Sequence, residues 1–396
     1  MVNKEANMSK IYLVGGMRTP FGSFGGSLSQ ITPVDLAVFS SNALLTNLNV
    51  KPDKIDHVIL GNVVPSSTDT LYGGRHLGLK IGVPVKVPGL VINRLCGSGI
   101  EAILSAARLI KLKEADCVLA AGTENMSMVP HLTYGARFGT KYGSLKSVDM
   151  LLDALTDQYS KTPMGITAEN LAEKFNISRG ECDEFSFKSH QKVGAAYEKN
   201  YLQGEVVKIP LKKNTLEKDE HFRADASLES MKKLSPTFKE NGRVTAASAS
   251  GIVDGAASVL IASEDFCEKE GLTPLAEIVD GNVVGVEPTL MGIGPSPSIK
   301  HVLEKNKMAL RDVDLFEINE AFAAQTLAVI KDLSLDPERL NIWGGAVALG
   351  HPLGATGVRI ALTLARQLKT LKLKTGIASA CIGGGQGIAV MLKSIN

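Results

Sequence analysis

Short apolar runs alternate with helix-period segments along most of the chain. KIYLVGGMRTP (residues 10–20) is an apolar run closed by glycines and proline, the pattern of a short buried strand ending in a turn. HVILGNVV (57–64) repeats it after a helical stretch from Pro33 to Leu48. Next come PGLVINRL, the turn CGSG at residues 96–99, the periodic run IEAILSAARLIKL and the strand-like DCVLAAGTEN. The beat is that of an α/β protein built from βαβ units. Near the C-terminus the order recurs, with NIWGGAVAL read as a strand, GHPLGATG as the turn, VRIALTLARQLKTL as a helix and TGIASACIGGG as a strand. The recurrence predicts two similar halves in which Cys96-Gly97-Ser98-Gly99 falls opposite His351-Pro352-Leu353-Gly354.

The segment between the halves differs in character. Residues 128–250 are rich in Tyr, Lys, Glu and Met, with helical stretches TAENLAEKF and RGECDEFSFKSHQKVGAAYEKN among irregular polar segments. They read as an inserted lobe, after which SGIVDGAASVLIAS returns the chain to the first sheet. The expected domains are a first half of residues 1–127 plus 251–276, a lobe of 128–250 and a second half of 277–396. A chain of 396 residues is long enough for two or three cores.

Composition narrows the function classes. Lys plus Arg total 43 against 41 for Asp plus Glu, and no block of like charge suits a polyanion, so nucleic acid is not an expected partner. Five cysteines without a CxxC pair, and no histidine at ligand spacing, argue against a disulfide framework and against a metal site. The start lacks a signal-peptide core and an Arg-rich leader, and no apolar run reaches membrane-spanning length. These features predict a cytosolic protein without membrane association, in which Met8 is a second plausible start and the seven residues before it a disordered extension.

Three segments carry the candidate chemistry. Cys96 is placed where a strand hands over to a helix, and the partial positive charge of a helix N-terminus lowers a thiol pKa and holds an oxyanion. A lone cysteine in a tight turn is more often a packing residue. His351 occupies the matching turn of the second half, and a neutral imidazole accepts a thiol proton near neutral pH. Cys381 ends the following strand before a run of glycines and offers a second thiol as acid and base at carbon; the bland reading is a Gly-rich turn.

Taken together, Asn93-Arg94-Leu95-Cys96-Gly97-Ser98-Gly99, Asn319-Glu320-Ala321-Phe322, Gly345-Ala346-Val347-Ala348-Leu349-Gly350-His351-Pro352 and Cys381-Ile382-Gly383-Gly384-Gly385-Gln386-Gly387 resemble the thiolase family over essentially the whole chain. The resemblance implies a thiolase fold, in which two duplicated βαβαβαββ-type halves pack as a five-layered α-β-α-β-α core with an inserted loop domain. It implies that Cys96 takes the acyl group, His351 accepts its proton and Cys381 moves a proton at the α-carbon. It further implies that Asn319 holds a water which, with His351, binds the thioester oxygen, and that backbone N–H groups of Cys96 and Gly383 form a second oxyanion hole. Coenzyme A is implied as co-substrate with no prosthetic group. Arg223 is expected near its adenine and phosphates, Ser250 at the pantetheine, and Phe238, Ala246, Met164, Met291 and Phe322 along the pantetheine tunnel or acyl site.

Local wording such as Arg137-Phe138-Gly139-Thr140-Lys141 and Pro163-Met164 is similar to the mitochondrial-type 3-ketoacyl-CoA thiolases, which favours a degradative enzyme over a biosynthetic one. Thr245-Ala246-Ala247-Ser248 and Trp343 depart from the usual family pattern and are expected to alter the surroundings of the site. The resemblance also implies a homotetramer assembled through residues 130–146. A thiolase-fold protein that binds acyl-CoA without turnover is the alternative.

Overall fold

The computed structural model describes residues 9–395; the proposed extension before Met8 lies outside the described residues. The first half contributes β1 (Ile11–Arg18), α1 (Pro33–Leu48), β2 (His57–Gly61), α2 (Gly73–Lys80), β3 (Gly89–Ile92), α3 (Ser98–Lys111) and β4 (Cys117–Asn125). The middle segment carries α4 (Met164–Lys174) and α5 (Arg179–Glu198) and returns through β5 (Val253–Ser263). The second half contains β6 (Ala276–Gly285), α6 (Pro295–Lys305), β7 (Leu315–Ile318), α7 (Ala323–Leu333), the one-turn α8 (Ala346–Leu349), α9 (Leu353–Leu371), β8 (Thr375–Ile382) and β9 (Gln386–Ser394).

Local chemistry explains several of these boundaries. Thr32 caps α1 by accepting the Asp35 N–H at 3.2 Å, Pro33 fixes its first turn, and Asn49 ends it in the left-handed region at φ 53°. Ser178 and Glu181 form a capping box at the start of α5. All residues of β4 and β5 are buried, as expected of strands covered on both faces.

The strands form one mixed sheet in the order β7-β8-β9-β6-β1-β5-β4-β2-β3. Its halves repeat each other. In each, an outer pair is parallel, β2 with β4 and β7 with β8, and the strands nearer the junction are antiparallel. Among the described residues, the two half-sheets are paired to each other where Tyr12 and Leu13 of β1 meet Glu277 and Ala276 of β6. Helices α1 and α2 cover the outside of the first half-sheet, α6 lies outside the second, and α3 and α9 pack together between them, which gives five layers. Helix α9 has 15 buried residues of 19, so it is apolar nearly all round, as a central-layer helix has to be. It crosses α3 with the backbones in close approach: a Cβ on Gly99 would lie 2.4 Å from the Val358 nitrogen, and one on Gly357 2.3 Å from that of Ile100.

One expected strand is absent. NIWGGAVAL makes only an isolated bridge, Phe316 with Leu340, just before it, and its second part is α8. Gly344 turns the chain at φ +82°, and the Val347 N–H is taken by the Glu320 carboxylate at 3.1 Å instead of by a neighbouring strand.

The lobe is fastened by buried charge. Arg18, at the end of β1, donates to Glu205 at 2.8 Å and to both oxygens of Asp219 at 2.7 and 3.0 Å, and the Tyr197 hydroxyl donates to Asp219 at 2.5 Å. Trp343 stacks on Tyr201 with ring centroids 4.8 Å apart, in a cluster with Val193 and Tyr197. This departure from the family pattern makes a packing contact between lobe and second half.

Candidate active site

Cys96 sits between β3 and α3, two residues ahead of the first helical residue. Leu95 before it is left-handed at φ +46°, a conformation held because Asn93 Oδ1 accepts the Leu95 N–H at 2.9 Å. The Asn93 amide in turn donates to the Val63 carbonyl at 2.9 Å, which ties the cysteine turn to the loop after β2. Of the five cysteines, Cys96 is half-buried as a residue and the other four are buried. Burial pushes the Cys96 thiol up to about 11, opposed by the Gly383 N–H and its own N–H and reinforced by the Glu124 charge. The expectation of a thiol lowered by the helix start is thus corrected: removal from water outweighs a dipole that begins two residues later.

His351 follows Gly350, which takes φ +93°, and its N–H donates to the Gly251 carbonyl at 3.0 Å. Its ring is oriented by Thr356, five residues on. The Thr356 hydroxyl donates to the Pro352 carbonyl at 3.0 Å, so toward His351 Nδ1, 2.6 Å away, it acts as acceptor. That places the imidazole proton on Nδ1 and leaves Nε2 with its lone pair. The Asn319 amide donates to that Nε2 at 3.3 Å. Burial, with Arg359 second, lowers His351 to about 3, so the ring is neutral in the resting protein. Asn319 directly follows β7; its Oδ1 is buried without a hydrogen-bond partner, an acceptor open to a water or a substrate group.

Cys381 lies near the end of β8, beside the strand that leads to Asn319, whose N–H donates to the Ser379 carbonyl at 2.9 Å. Burial and then the neighbouring Cys96 sulfur raise its thiol far above the ordinary value, so as a resting group it is a proton donor. Gly384 and Gly385 turn the chain at φ +79° and +85°, and the preceding Gly383 N–H reaches back to Cys96.

Two thiols and a neutral imidazole are carried by separate segments of the chain. The thiolase N-terminal domain matches residues 11–265 and the thiolase C-terminal domain residues 272–394. The chain belongs to the thiolase family. Among its relatives, the mitochondrial 3-ketoacyl-CoA thiolase of Homo sapiens is 48% identical over 389 residues, covering 97% of this chain and 98% of the relative. The beta-ketothiolase BktB of Cupriavidus necator is 41% identical, covering 98% and 99%. The crystal structure of the human mitochondrial enzyme in complex with CoA superposes with a TM-score of 0.96 at 48% identity, covering 98% of this chain and 99% of that one. The cytosolic placement expected from the opening residues does not stand: the human, mouse and bovine relatives are named mitochondrial, and a start without an Arg-rich leader fixes no compartment.

The residues expected to hold CoA divide into two groups in this thiolase. Met164, Met291 and Phe322 share one apolar cluster with Cys381, and a Cβ on Gly383 would lie 3.4 Å from the Met164 sulfur. Phe238 meets Phe322 edge to face at 5.9 Å, and Ala249 bridges to Phe322 as Ser250 donates its N–H to Ala321 at 3.0 Å. Ala246 is exposed beside them. Arg223 stands apart on the lobe surface, next to a cavity of about 320 Å³ lined by Phe187, His190 and Phe222. His221 links the two groups by packing against Gly251, where a Cβ would lie 2.5 Å from its ring.

Ala247 does not take a positive φ, so its methyl causes no strain, and Ser248 closes the turn by accepting the Thr245 N–H at 2.8 Å. A larger surface hollow of about 660 Å³, lined by Met17, Phe39 and Asn42 among others, contains no titratable side chain. Sequence reasoning missed Thr356 and Glu124. The first carries a signal, a hydroxyl five residues after His351 on the helix that follows it; the second carries none, since its partners are remote in the chain.

Proposed function

We propose that this thiolase is degradative, cleaving 3-ketoacyl-CoA with free CoA into acetyl-CoA and a shortened acyl-CoA, with Cys96 as nucleophile. The reading is supported by one arrangement: Cys96 takes a hydrogen bond from the Gly383 N–H, two residues after Cys381, and Asn319, which follows the strand paired with that of Cys381, reaches the His351 ring, whose proton Thr356 holds on Nδ1.

The Cys96 sulfur attacks the 3-keto carbon, and His351 Nε2 receives its proton. The bond between carbons 2 and 3 then breaks, its electron pair passing into the acetyl-CoA enolate. Cys381 gives the enolate carbon a proton. Its raised thiol suits that step, because it is protonated before the enolate appears. The CoA thiol takes the acyl group from Cys96, its proton replacing the one Cys381 gave up, while the released Cys96 sulfur recovers the proton held by His351. The reverse sequence condenses two acetyl units, and both directions are ping-pong. Asn319, a water on its free Oδ1 and His351 stabilise one oxyanion, and the N–H groups of Cys96 and Gly383 the other. Met164, Met291, Phe322, Phe238 and Ala246 line the pantetheine and acyl path, Ser250 contacts the pantetheine, and Arg223 meets the nucleotide end.

The human relative's name and its crystal form with CoA support the degradative direction and the co-substrate. The alternative of acyl-CoA binding without turnover finds no support in a site whose base is oriented and whose two thiols are adjacent. We also propose a homotetramer joined through residues 130–146, where Phe138 and Tyr142 are 93% and 100% exposed; light scattering that gives a monomer at micromolar concentration overturns it.

The central test is Cys96→Ala. Acetoacetyl-CoA consumption in the presence of CoA should fall by at least about 1,000-fold, as loss of a covalent nucleophile does, while CoA binding by calorimetry persists. Near-normal turnover would sink the assignment.

A further inference from the structure

Glu124, at the C-terminal end of β4, is fully buried and has no part in the reaction as written. Its carboxylate sits in a cage of donors only. Oε1 accepts from the Val64 N–H at 2.9 Å and the Asn62 amide at 3.1 Å, and Oε2 from the Val63 N–H at 3.1 Å and the Gly354 N–H at 2.9 Å. These donors belong to two different structures. Val63 and Val64 form the loop whose carbonyl holds Asn93, and Asn93 holds the left-handed Leu95 that presents Cys96. Gly354 opens the helix behind His351, and its N–H points at the carboxylate where the helix dipole favours negative charge; burial raises the Glu124 carboxyl to about 7, against the four donors around it. Around this point the halves touch backbone to backbone: a Cβ on Gly122 would lie 2.1 Å from the Gly354 carbonyl oxygen.

We infer that Glu124 is a positioning residue that sets the spacing between the Cys96 sulfur and the His351 imidazole by gripping the supports of both. One carboxylate grips a loop from the first half and a helix start from the second, so any shift of one support relative to the other stretches its hydrogen bonds. The inference rests on the acyl-transfer reading and deepens it. The grip requires four acceptor positions, which a carboxylate provides and an amide does not: glutamine would turn an NH2 group toward two N–H donors. The titratable groups around the Cys96 sulfur are Glu124 on β4, Cys381 on β8 and, in the reaction proposed above, His351 ahead of α9; removing the Glu124 charge also eases ionisation of Cys96.

The test compares Glu124→Gln and Glu124→Asp with wild type in steady-state thiolysis of acetoacetyl-CoA, in CoA binding, and in the pH profile of Cys96 alkylation by iodoacetamide. Glu124→Gln should lower kcat by roughly 30- to 100-fold, the scale of an ångström misplacement, with KM for CoA within about twofold. Its alkylation profile should move to lower pH, so that Cys96 reacts faster while turnover is slower. Glu124→Asp should keep the wild-type alkylation profile and recover part of kcat. A folded Glu124→Gln protein with kcat within about threefold of wild type and an unmoved profile overturns the inference. Should that variant fail to fold, Asn93→Ala decides. It breaks the links of Asn93 to the Val63 carbonyl and to the Leu95 N–H, leaves the Glu124 carboxylate in place, and should lower kcat about tenfold at unchanged CoA affinity; unchanged kcat overturns the inference. Failure of the acyl-transfer reading is separate, since it appears as turnover by Cys96→Ala.

Discussion

Asn62 and Asn319 stand at the same post in the two halves. Each is the first residue after a strand that pairs in parallel with the strand behind the site, β2 with β4 and β7 with β8. Their amides are used differently. The Asn62 amide is saturated by structure, donating to the Thr123 carbonyl and to Glu124, each at 3.1 Å. The Asn319 amide donates to the His351 ring, and its oxygen has no partner. In a buried site, an unsatisfied acceptor is a cost that a purely structural role would not retain. The duplication supplied one scaffold twice; chemistry stayed where a side chain was left unsatisfied.

The comparison can be broken by exchanging the consequences of loss. Asn319→Ala should give the largest effect, a fall in kcat of about 100- to 1,000-fold as for removal of an oxyanion donor, with little change in Tm. Steady-state kinetics paired with thermal melts would check it, and equal losses in both would undo the contrast. Thr356→Val comes next. Without the acceptor at Nδ1 the imidazole proton is free to move to Nε2, and kcat should fall roughly 10- to 100-fold, the range found for an outer partner of a working histidine. The Nδ1 and Nε2 signals in nitrogen NMR would report the tautomer directly. Asn62→Ala should appear mainly as stability, about 1–3 kcal/mol for a buried amide whose partner loses a donor, and its kcat loss should stay well below that of Asn319→Ala.

The smallest effect expected is a slope of stability with pH. Burial raises the Glu317 carboxyl to about 7, against the Arg359 charge 3.3 Å away. A folded-state value above the unfolded one means that the folded protein holds a proton the unfolded chain has released. This contribution to stability is full below about 4.5 and is lost as pH rises through about 7. Glu124 is raised in the same way and the buried His190 and His351 act with the opposite sign, so the readout is a difference: in thermal melts from pH 5 to pH 8 the wild type should lose more stability with rising pH than Glu317→Gln. A slope unchanged by that substitution would remove Glu317 as its source.

Most strands and helices of the two halves were legible because their hydrophobic periods are plain and their ends carry turn residues. NIWGGAVAL was misread as a strand because an apolar run between glycines has the same pattern whether its N–H groups meet a neighbouring strand or, as at Val347, a buried carboxylate. The identity of Cys96, His351 and Cys381 as candidates was legible; the state of their protons was not. Thiol and imidazole shifts here follow from burial, which depends on residues far away in sequence. The same distance hid Glu124, whose partners are 60 to 62 residues away on one side and 230 on the other.

The crossing of α3 over α9 at Gly99 and Gly357 leaves no room for a single added carbon. Helices that meet without side chains between them have nothing to slide on, so the line dividing the two repeats is a weld and not a hinge. Hydrogen exchange should be slowest at this weld.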